Sequence, residues 1–104
     1  MGFDFEKLEV YHKALNFIDY VYDLTKKFPA DERFALTDQL RRSVISISLN
    51  IVEGSGRTKK DFRNFLRTAR SSCYECVAIF EICRRHSYVT NDQYQKAHQF
   101  CIEI

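Results

Sequence analysis

The stretch that decides the fold runs from Leu36 to Arg57 and reads LTDQLRRSVISISLNIVEGSGR. It contains no proline and stops at a pair of glycines in Gly54-Ser55-Gly56. On a helical wheel, one set of apolar side chains falls on a single face, as expected for a helix that packs on a core. Its members are Leu36, Leu40, Val44, Ile47 and Ile51.

A second apolar strip lies on nearly the opposite side of the same helix. Ile45, Leu49 and Val52 form it at spacings of four and three residues. A small domain has few layers with which to cover both sides of one helix, so this strip predicts contact with a neighbouring subunit. The small side chains between the two strips would let a neighbouring helix approach closely; they are Ser43, Ser46, Ser48 and Asn50.

Composition predicts one soluble helical domain over residues 1–104. The chain has 45% hydrophobic and 29% charged residues, and only three glycines and one proline, which favours long uninterrupted helices. No apolar run reaches the length of a membrane span, and the acidic N-terminus lacks the apolar segment of a signal peptide. We therefore expect a cytoplasmic protein with no membrane partner.

Local start and stop signals divide the chain into four helices. The first is predicted from Glu6 to Phe28, where Pro29 ends it, and Ala30 to Phe34 connects it to the central helix. Thr58 and Thr90 each precede a cap-like sequence that begins a further helix. Four helices with short connections predict an all-α, antiparallel, up-down-up-down four-helix bundle. Because Ile104 falls on an apolar stripe, we expect the last helix to continue in the native protein.

The third predicted helix carries an apolar stripe that includes three of the four cysteines. The stripe consists of Phe62, Phe65, Leu66, Ala69, Cys73, Cys76, Phe80 and Cys83. A free cysteine behaves as a small hydrophobe, so these thiols are assigned to the core and no metal or cofactor is predicted. The alternative is a zinc site completed by His86 or Cys101, for which a CxxC within a helix is weak evidence.

The most unusual charge feature is a basic stripe at the start of the third helix. Residues 1–56 carry 7 basic and 9 acidic residues, a net charge of −2, whereas residues 57–104 carry 9 and 5, a net charge of +4. The basic stripe, roughly 15 Å long at 1.5 Å per residue, suits phosphate contacts along a nucleic-acid backbone. Its members are Arg57, Lys59, Lys60, Arg63, Arg67 and Arg70. Tyr74 follows on the same face and could stack on a base.

Other interpretations of this stripe stay open. Its side chains could be a solvated helix face, could pair with the acidic side of the first helix, or could dock a partner protein on an oligomeric scaffold. The net charge of only +2 argues against a strong non-specific nucleic-acid binder.

Catalytic signals are poor, so we predict that the protein is not an enzyme. Gly54-Ser55-Gly56 is typical of a helix C-cap and turn and lacks the strand context of a phosphate loop. Glu9-x-x-His12 is only half of a di-iron motif, and it lies on a polar helix face. A metal-dependent bundle enzyme is kept only as a third alternative. Glu53 and Glu75 are expected to form ion pairs with Arg41 or Arg42 rather than to transfer protons.

Several motifs resemble those of a known family. They are Phe5-Glu6-Lys7-Leu8, Tyr22-Asp23-Leu24-Thr25, Phe28-Pro29, Leu36 to Ser43 (LTDQLRRS), Ser46-Ile47, Asn50 to Gly54 (NIVEG) and Phe65-Leu66-x-x-Ala69. Together they are similar to the four-helix-bundle proteins encoded in intervening sequences of bacterial 23S ribosomal RNA genes, also labelled S23 ribosomal proteins. Cys73 and Cys76 replace the usual leucines of that family, which supports their assignment to the core.

This resemblance implies an all-α bundle that commonly assembles as a ring of five. The accessory variability protein of diversity-generating retroelements is similar in fold and partners a reverse transcriptase and RNA through a basic surface. No catalytic residues come with the family. From the residues and the resemblance together, we expect a non-enzymatic homo-oligomer, as a pentamer, with Ile45, Leu49 and Val52 between subunits and RNA or DNA on the basic stripe. A scaffold for a protein partner is the alternative.

Overall fold

A computed structural model describes residues 2–104 of the chain. Its main elements are four α-helices, and no β-strand occurs among the described residues. The helices are α1 (Glu9–Thr25), α2 (Asp38–Ser55), α3 (Lys59–Arg85) and α4 (Asn91–Glu103). The predicted all-α class is confirmed. None of the described helices is both long enough and apolar enough to cross a membrane.

The two predicted threonine caps begin α3 and α4. The Thr58 hydroxyl accepts a hydrogen bond from the backbone N–H of Asp61 at 3.2 Å. The Thr90 hydroxyl accepts one from Gln93 N–H at 3.1 Å, and the Gln93 side chain accepts one from Thr90 N–H at 2.8 Å. Each cap satisfies backbone donors that a helix start leaves unpaired, and each is worth about 1 kcal/mol of stability.

Helices α2 and α3 form the most extensive contact in the molecule and run antiparallel. Near the start of α2, the Gln39 amide donates to Glu75. Near its middle, the Ser72 hydroxyl donates to Ser46 Oγ at 3.1 Å. The small serines of α2 therefore let a helix of the same chain approach, and Ser43 and Ser48 are themselves buried.

Helices α3 and α4 are also antiparallel. The Arg84 guanidinium, near the end of α3, lies 5.2 Å from the ring centroid of Tyr94, near the start of α4. Cys101 Sγ, near the end of α4, lies 3.7 Å from the carbonyl oxygen of Cys73, in the middle of α3. The two helices therefore run in opposite directions. The up-down-up-down order of all four helices stays a prediction, based on the short connections between them.

The core lies between the four helices and contains most members of the predicted stripes, whereas Phe62, Phe65 and Leu66 at the start of the α3 stripe are only half-buried. Leu40, Val44, Ile47 and Ile51 of α2 are fully buried. Cys73, Cys76 and Cys83 are buried among them with free thiols, as expected for small hydrophobes. Other core side chains include Phe17, Val21, Phe80 and Ala97.

The first helix and its connection differ from the prediction. A separate 3-10 turn (Asp4–Lys7) precedes α1, which ends at Thr25 rather than at Phe28. The Phe28 side chain is buried instead against Tyr88, with ring centroids 5.7 Å apart. Beyond Pro29, a 3-10 turn (Ala30–Glu32) and a π-helical turn (Arg33–Thr37) replace the expected connection. Leu36 therefore lies in the π-helical turn and is only half-buried.

The turn after α2 also corrects the prediction. Gly54 is a buried residue inside α2, and Gly56 is the C-cap. A Cβ atom at Gly54 would lie 2.6 Å from Phe65 Cβ and 2.9 Å from Phe62 Cδ1. The glycine is needed here because α3 passes so close to α2, and not because the chain turns.

Within residues 2–104, neither Glu53 nor Glu75 forms the ion pair that was expected with Arg41 or Arg42. Glu53 pairs with Arg57 one helical turn later, and Glu75 accepts from Gln39. Arg41 Nε instead donates to Thr25 Oγ1 at 2.9 Å, and its guanidinium lies 4.4 Å from the Tyr22 ring centroid. This arginine therefore links α2 to the end of α1.

Candidate nucleic-acid interface

The six side chains of the basic stripe are all exposed. Arg57 lies just before the Thr58 cap, and the other five lie in the first three turns of α3. Spacings of three and four residues bring Arg63, Arg67 and Arg70 onto one face of the helix. The stripe is therefore accessible to a ligand along its length.

Arg57 differs from the rest of the stripe because its charge is already paired. Its guanidinium forms an ion pair with Glu53 and lies 5.2 Å from the Phe65 ring centroid. The hydrogen bond and charge of Glu53 raise the pKa of Arg57 above its usual value. This arginine links the end of α2 to the start of α3. Because part of its guanidinium is already bound to Glu53, fewer of its N–H groups are free to bind a phosphate.

The other five cations have no acidic side chain within ion-pairing distance in the described part of the chain. Salt bridges at 4.0 Å or less involve other basic residues, namely Lys13, Lys26, Arg57, Arg84 and Arg85. Arg67 instead donates to the Asn64 side chain at 3.2 Å. The expected alternative of pairing with the acidic side of the first helix is therefore not seen among residues 2–104. The positive charge of Lys59, Lys60, Arg63, Arg67 and Arg70 is left for solvent or a ligand.

Arg70 and Tyr74 form a prearranged pair at the end of the stripe. Arg70 Nε donates to the Tyr74 hydroxyl at 2.9 Å, and the guanidinium lies 5.6 Å from the ring centroid. Tyr74 is 63% exposed. It presents an aromatic ring to solvent next to a cation, as the sequence suggested.

Beside the stripe lies a groove of about 670 Å³ that sequence reasoning missed. We call it the α3–α4 groove. It is lined by Arg63, Leu66, Arg67, Ala69, Arg70, Cys73, Tyr74, Val77, His98, Cys101, Ile102 and Ile104. Most of the lining side chains are apolar, three are arginines of α3, and no aspartate or glutamate lines the groove.

The second apolar strip of α2 is unevenly exposed. Leu49 is 60% exposed, whereas Ile45 and Val52 are half-buried and Ile45 packs against the core of its own chain. Leu49 is therefore the member that a neighbouring molecule can reach most easily.

Three of the four cysteines, Cys76, Cys83 and Cys101, are held in the protonated thiol form. Burial raises the pKa of the Cys76 thiol and raises that of Cys83 to about 11. A hydrogen bond with Cys73, together with burial, raises the pKa of Cys101. These three thiols stay protonated near neutral pH, and the thiol form is a poor nucleophile and metal ligand.

The residues of the metal alternative are not brought together. No group of three or more potential ligands (histidine, cysteine, aspartate or glutamate) occurs within residues 2–104. Glu9 pairs with Lys13 at 3.7 Å, and the His12 ring Nε2 lies 2.6 Å from the Glu6 carbonyl oxygen.

Comparison with known proteins agrees with the fold and with the motifs. The sequence profile of the 23S rRNA-intervening sequence protein family matches residues 6–104. A similar solved structure is a protein of unknown function from the S23 ribosomal protein family of Bacteroides thetaiotaomicron VPI-5482. It shares 29% sequence identity and a TM-score of 0.81, over 90% of this chain and 89% of that one. No curated protein matches the chain. Since the family profile covers nearly the whole sequence, the chain belongs to the 23S rRNA-intervening sequence protein family.

Proposed function

We propose that this protein is a non-enzymatic homo-oligomer that binds structured RNA in the cytoplasm through the basic stripe of α3. The observation that carries the proposal is the set of five exposed cations on that helix, none of which has an acidic partner within 4.0 Å in residues 2–104. Fixed cations left unpaired on one rigid face are what a phosphate backbone requires, since each contact releases condensed counterions.

The kind of cation supports the proposal further. Three of the five are arginines, whose planar guanidinium donates two parallel hydrogen bonds to a phosphate. Arg63, Arg67 and Arg70 lie within two helical turns, so they can contact successive phosphates without rearrangement of the backbone. Phosphate contacts of this kind give affinity and orientation rather than sequence specificity.

A binding role without catalysis is supported by the state of the thiols. Cys76, Cys83 and Cys101 are held protonated by their surroundings, and Cys76 and Cys83 are also buried. Nucleophilic catalysis by cysteine would require an accessible thiolate. Free thiols are also in keeping with a reducing compartment, which supports the cytoplasmic part of the proposal.

Assembly would multiply the basic stripe. We propose a homo-oligomer whose contact includes Leu49, because a large apolar side chain that is 60% exposed gains by burial against a second copy. The ring of five is the expectation from the family resemblance. Several stripes on one assembly would bind one RNA with higher avidity than a single stripe.

The salt dependence of RNA binding tests the proposal directly. Fluorescence anisotropy with a labelled structured RNA is expected to show an affinity that falls about 500-fold between 50 and 200 mM salt, as for a protein that makes roughly five phosphate contacts. Binding that is absent even at 50 mM salt would contradict RNA binding and favour the protein scaffold.

The substitution Leu49→Lys tests the oligomer. We expect it to convert the assembly to a monomer of 12.4 kDa, because a buried lysine without a partner is strongly unfavourable at an interface. Light scattering measures the mass, and circular dichroism shows whether the chain stays helical. Phe34→Lys is the matched control, since Phe34 is 85% exposed and lies outside the α2 strip. An unchanged mass for Leu49→Lys would show that the interface lies elsewhere.

A further inference from the structure

Two cysteines, one on α3 and one on α4, meet where these helices pack together. Cys101 Sγ lies 3.7 Å from the backbone carbonyl oxygen of Cys73, and the two thiols hydrogen-bond to each other. A cysteine side chain is short, so this contact requires the two backbones to lie close together. The close packing is helped by small buried residues one turn before each cysteine, Ala69 on α3 and Ala97 on α4. A disulfide needs such an approach, because its S–S bond is only about 2 Å long.

The pair lies between two helices and not on an open surface. Cys73 is buried, and Ala97 of α4 is only 1% exposed. Whatever else packs on the outside of the bundle, the two thiols stay next to each other as long as α4 lies against α3. Both cysteines are free thiols, so the bond between them has still to form.

The four cysteines differ in their readiness to react. A hydrogen bond from Cys101 and the nearby charge of Arg70 lower the pKa of the Cys73 thiol, against the opposing effect of burial. Burial instead raises the pKa of Cys76 and of Cys83. The thiolate is the form that attacks a disulfide, so Cys73 is the first to react. Cys83 is also too far away to be its partner, since it lies about 15 Å along α3 at 1.5 Å per residue.

We propose that Cys73 and Cys101 close a reversible intrachain disulfide, which fastens α4 to α3 when a small-molecule disulfide such as oxidised glutathione accumulates. In a reducing compartment the pair stays as two thiols, and a more oxidising thiol pool converts it to the disulfide. This bond goes beyond the proposed function and does not depend on RNA binding.

The reaction consists of two thiol–disulfide exchanges. The Cys73 thiolate attacks one sulfur of the small-molecule disulfide, whose S–S bond breaks and whose other half leaves as a thiolate and takes a proton from water. Cys101 then loses its proton to water, attacks Cys73 Sγ and expels the second small thiol. Two protein thiols are oxidised, and one small-molecule disulfide is reduced to two thiols.

The first exchange prepares the second. The largest cause of the raised pKa of Cys101 is its hydrogen bond with Cys73. A Cys73 sulfur in a mixed disulfide carries no negative charge, so this effect is lost and Cys101 ionises more easily. A thiolate of higher pKa is also the stronger nucleophile once it has formed.

The small-molecule disulfide reaches the buried Cys73 through local opening of α4. Such openings expose buried groups without unfolding the whole domain. When α4 returns to α3, Cys101 is brought back to Cys73 at a high effective concentration. Closure of the intrachain bond is therefore favoured over a lasting mixed disulfide.

The first experiment counts thiols in the full chain. The folded protein is incubated with oxidised glutathione, quenched with acid, unfolded and alkylated, and its mass is measured. The number of alkylated thiols is expected to fall from four to two, and the mass before alkylation should fall by about 2 Da, for the two hydrogens lost. Peptide mapping should link Cys73 to Cys101, and dithiothreitol should restore all four thiols.

Two alanine variants test the pairing. Cys101→Ala is expected to form no intrachain bond and to hold at most a glutathione adduct. Cys83→Ala is the matched control, because it also removes a partly or fully buried cysteine from the core and should still close the bond. Circular dichroism shows whether each variant stays helical.

Thermal unfolding of the oxidised and reduced forms provides a second measurement. At one fixed protein concentration, oxidation should raise the melting temperature of the natural chain and of Cys83→Ala by about 10 °C or more, because the bond restricts the unfolded chain. Cys101→Ala should show no such rise.

Four outcomes would overturn the Cys73–Cys101 disulfide. They are four thiols that stay free in the folded chain, a stable glutathione adduct without closure, a bond from Cys73 to Cys76, and a bond between two chains. Closure in the natural chain and in Cys83→Ala, but not in Cys101→Ala, would support it. RNA binding is measured on the reduced chain, so its success or failure is independent of all these results.

Discussion

Replacing Arg63, Arg67 and Arg70 together by glutamate is expected to weaken RNA binding at least about 100-fold at 0.1 M salt. Each lost phosphate contact removes the release of nearly one counterion, so three contacts should also reduce the salt slope by about 3. The side chains are exposed and none forms an ion pair in residues 2–104, so the fold should tolerate the change. Anisotropy titrations at several salt concentrations measure both quantities.

A charge-matched control separates local contacts from total charge. Lys27, Arg33 and Arg42 are exposed, lie outside α3 near the start of α2, at its opposite end from Arg57, and form no ion pair among the described residues. Replacing all three by glutamate changes the net charge by the same amount. The loss of affinity should be much smaller, because at 0.1 M salt a charge more than about 10 Å from the bound RNA is largely screened from it. Equal losses in the two triple variants would mean that overall charge, and not the stripe of α3, attracts the RNA.

Gly54→Ala is expected to lower the free energy of unfolding by about 2 kcal/mol. Alanine in place of a helical glycine ordinarily stabilises a protein by up to about 1 kcal/mol. Here the new methyl group would lie 2.6 Å from Phe65 Cβ, so α2 and α3 must move apart, and overpacking of this kind costs about 1–3 kcal/mol or more. Urea unfolding, at one fixed protein concentration because assembly contributes to stability, measures the effect.

Gly56→Ala is the matched control two residues later. No atom lies within 4 Å of a Cβ at Gly56, and its φ of −87° is accessible to alanine. We expect this variant to gain about 0.5 kcal/mol, because alanine reduces the entropy of the unfolded chain. If Gly54→Ala proved as stable as Gly56→Ala, the close approach of α3 to α2 would be wrong.

Sequence patterns predicted the elements of the fold well where neighbouring residues decide the structure. The threonine caps of α3 and α4 depend on a side chain and a backbone amide three residues apart, and both form as expected. The buried face of α2 and the burial of three cysteines follow from helical periodicity. The start of α2 was less predictable, because the π-helical turn at Arg33–Thr37 has no sequence signature of comparable strength.

The candidate site was predicted only in part. The basic stripe is visible in the sequence because its members share one helix face. The pairing of Arg57 with Glu53 was missed, although their four-residue spacing was a sufficient signal. The α3–α4 groove could not be predicted in the same way, since it requires Leu66 and Cys73 to lie beside Cys101 and Ile102.

By itself, the sequence determined the four helices, their apolar faces, the starts of α3 and α4, and the concentration of basic residues on α3. These features depend on side chains within about one or two helical turns of each other, where geometry is fixed by the helix itself. The tertiary structure alone decided that Gly54 admits α3, that Arg41 joins α2 to Thr25, and that an apolar groove opens beside the arginines. Such features depend on how helices distant in sequence pack, and the periodicity of one helix does not specify the distance or rotation of its neighbour.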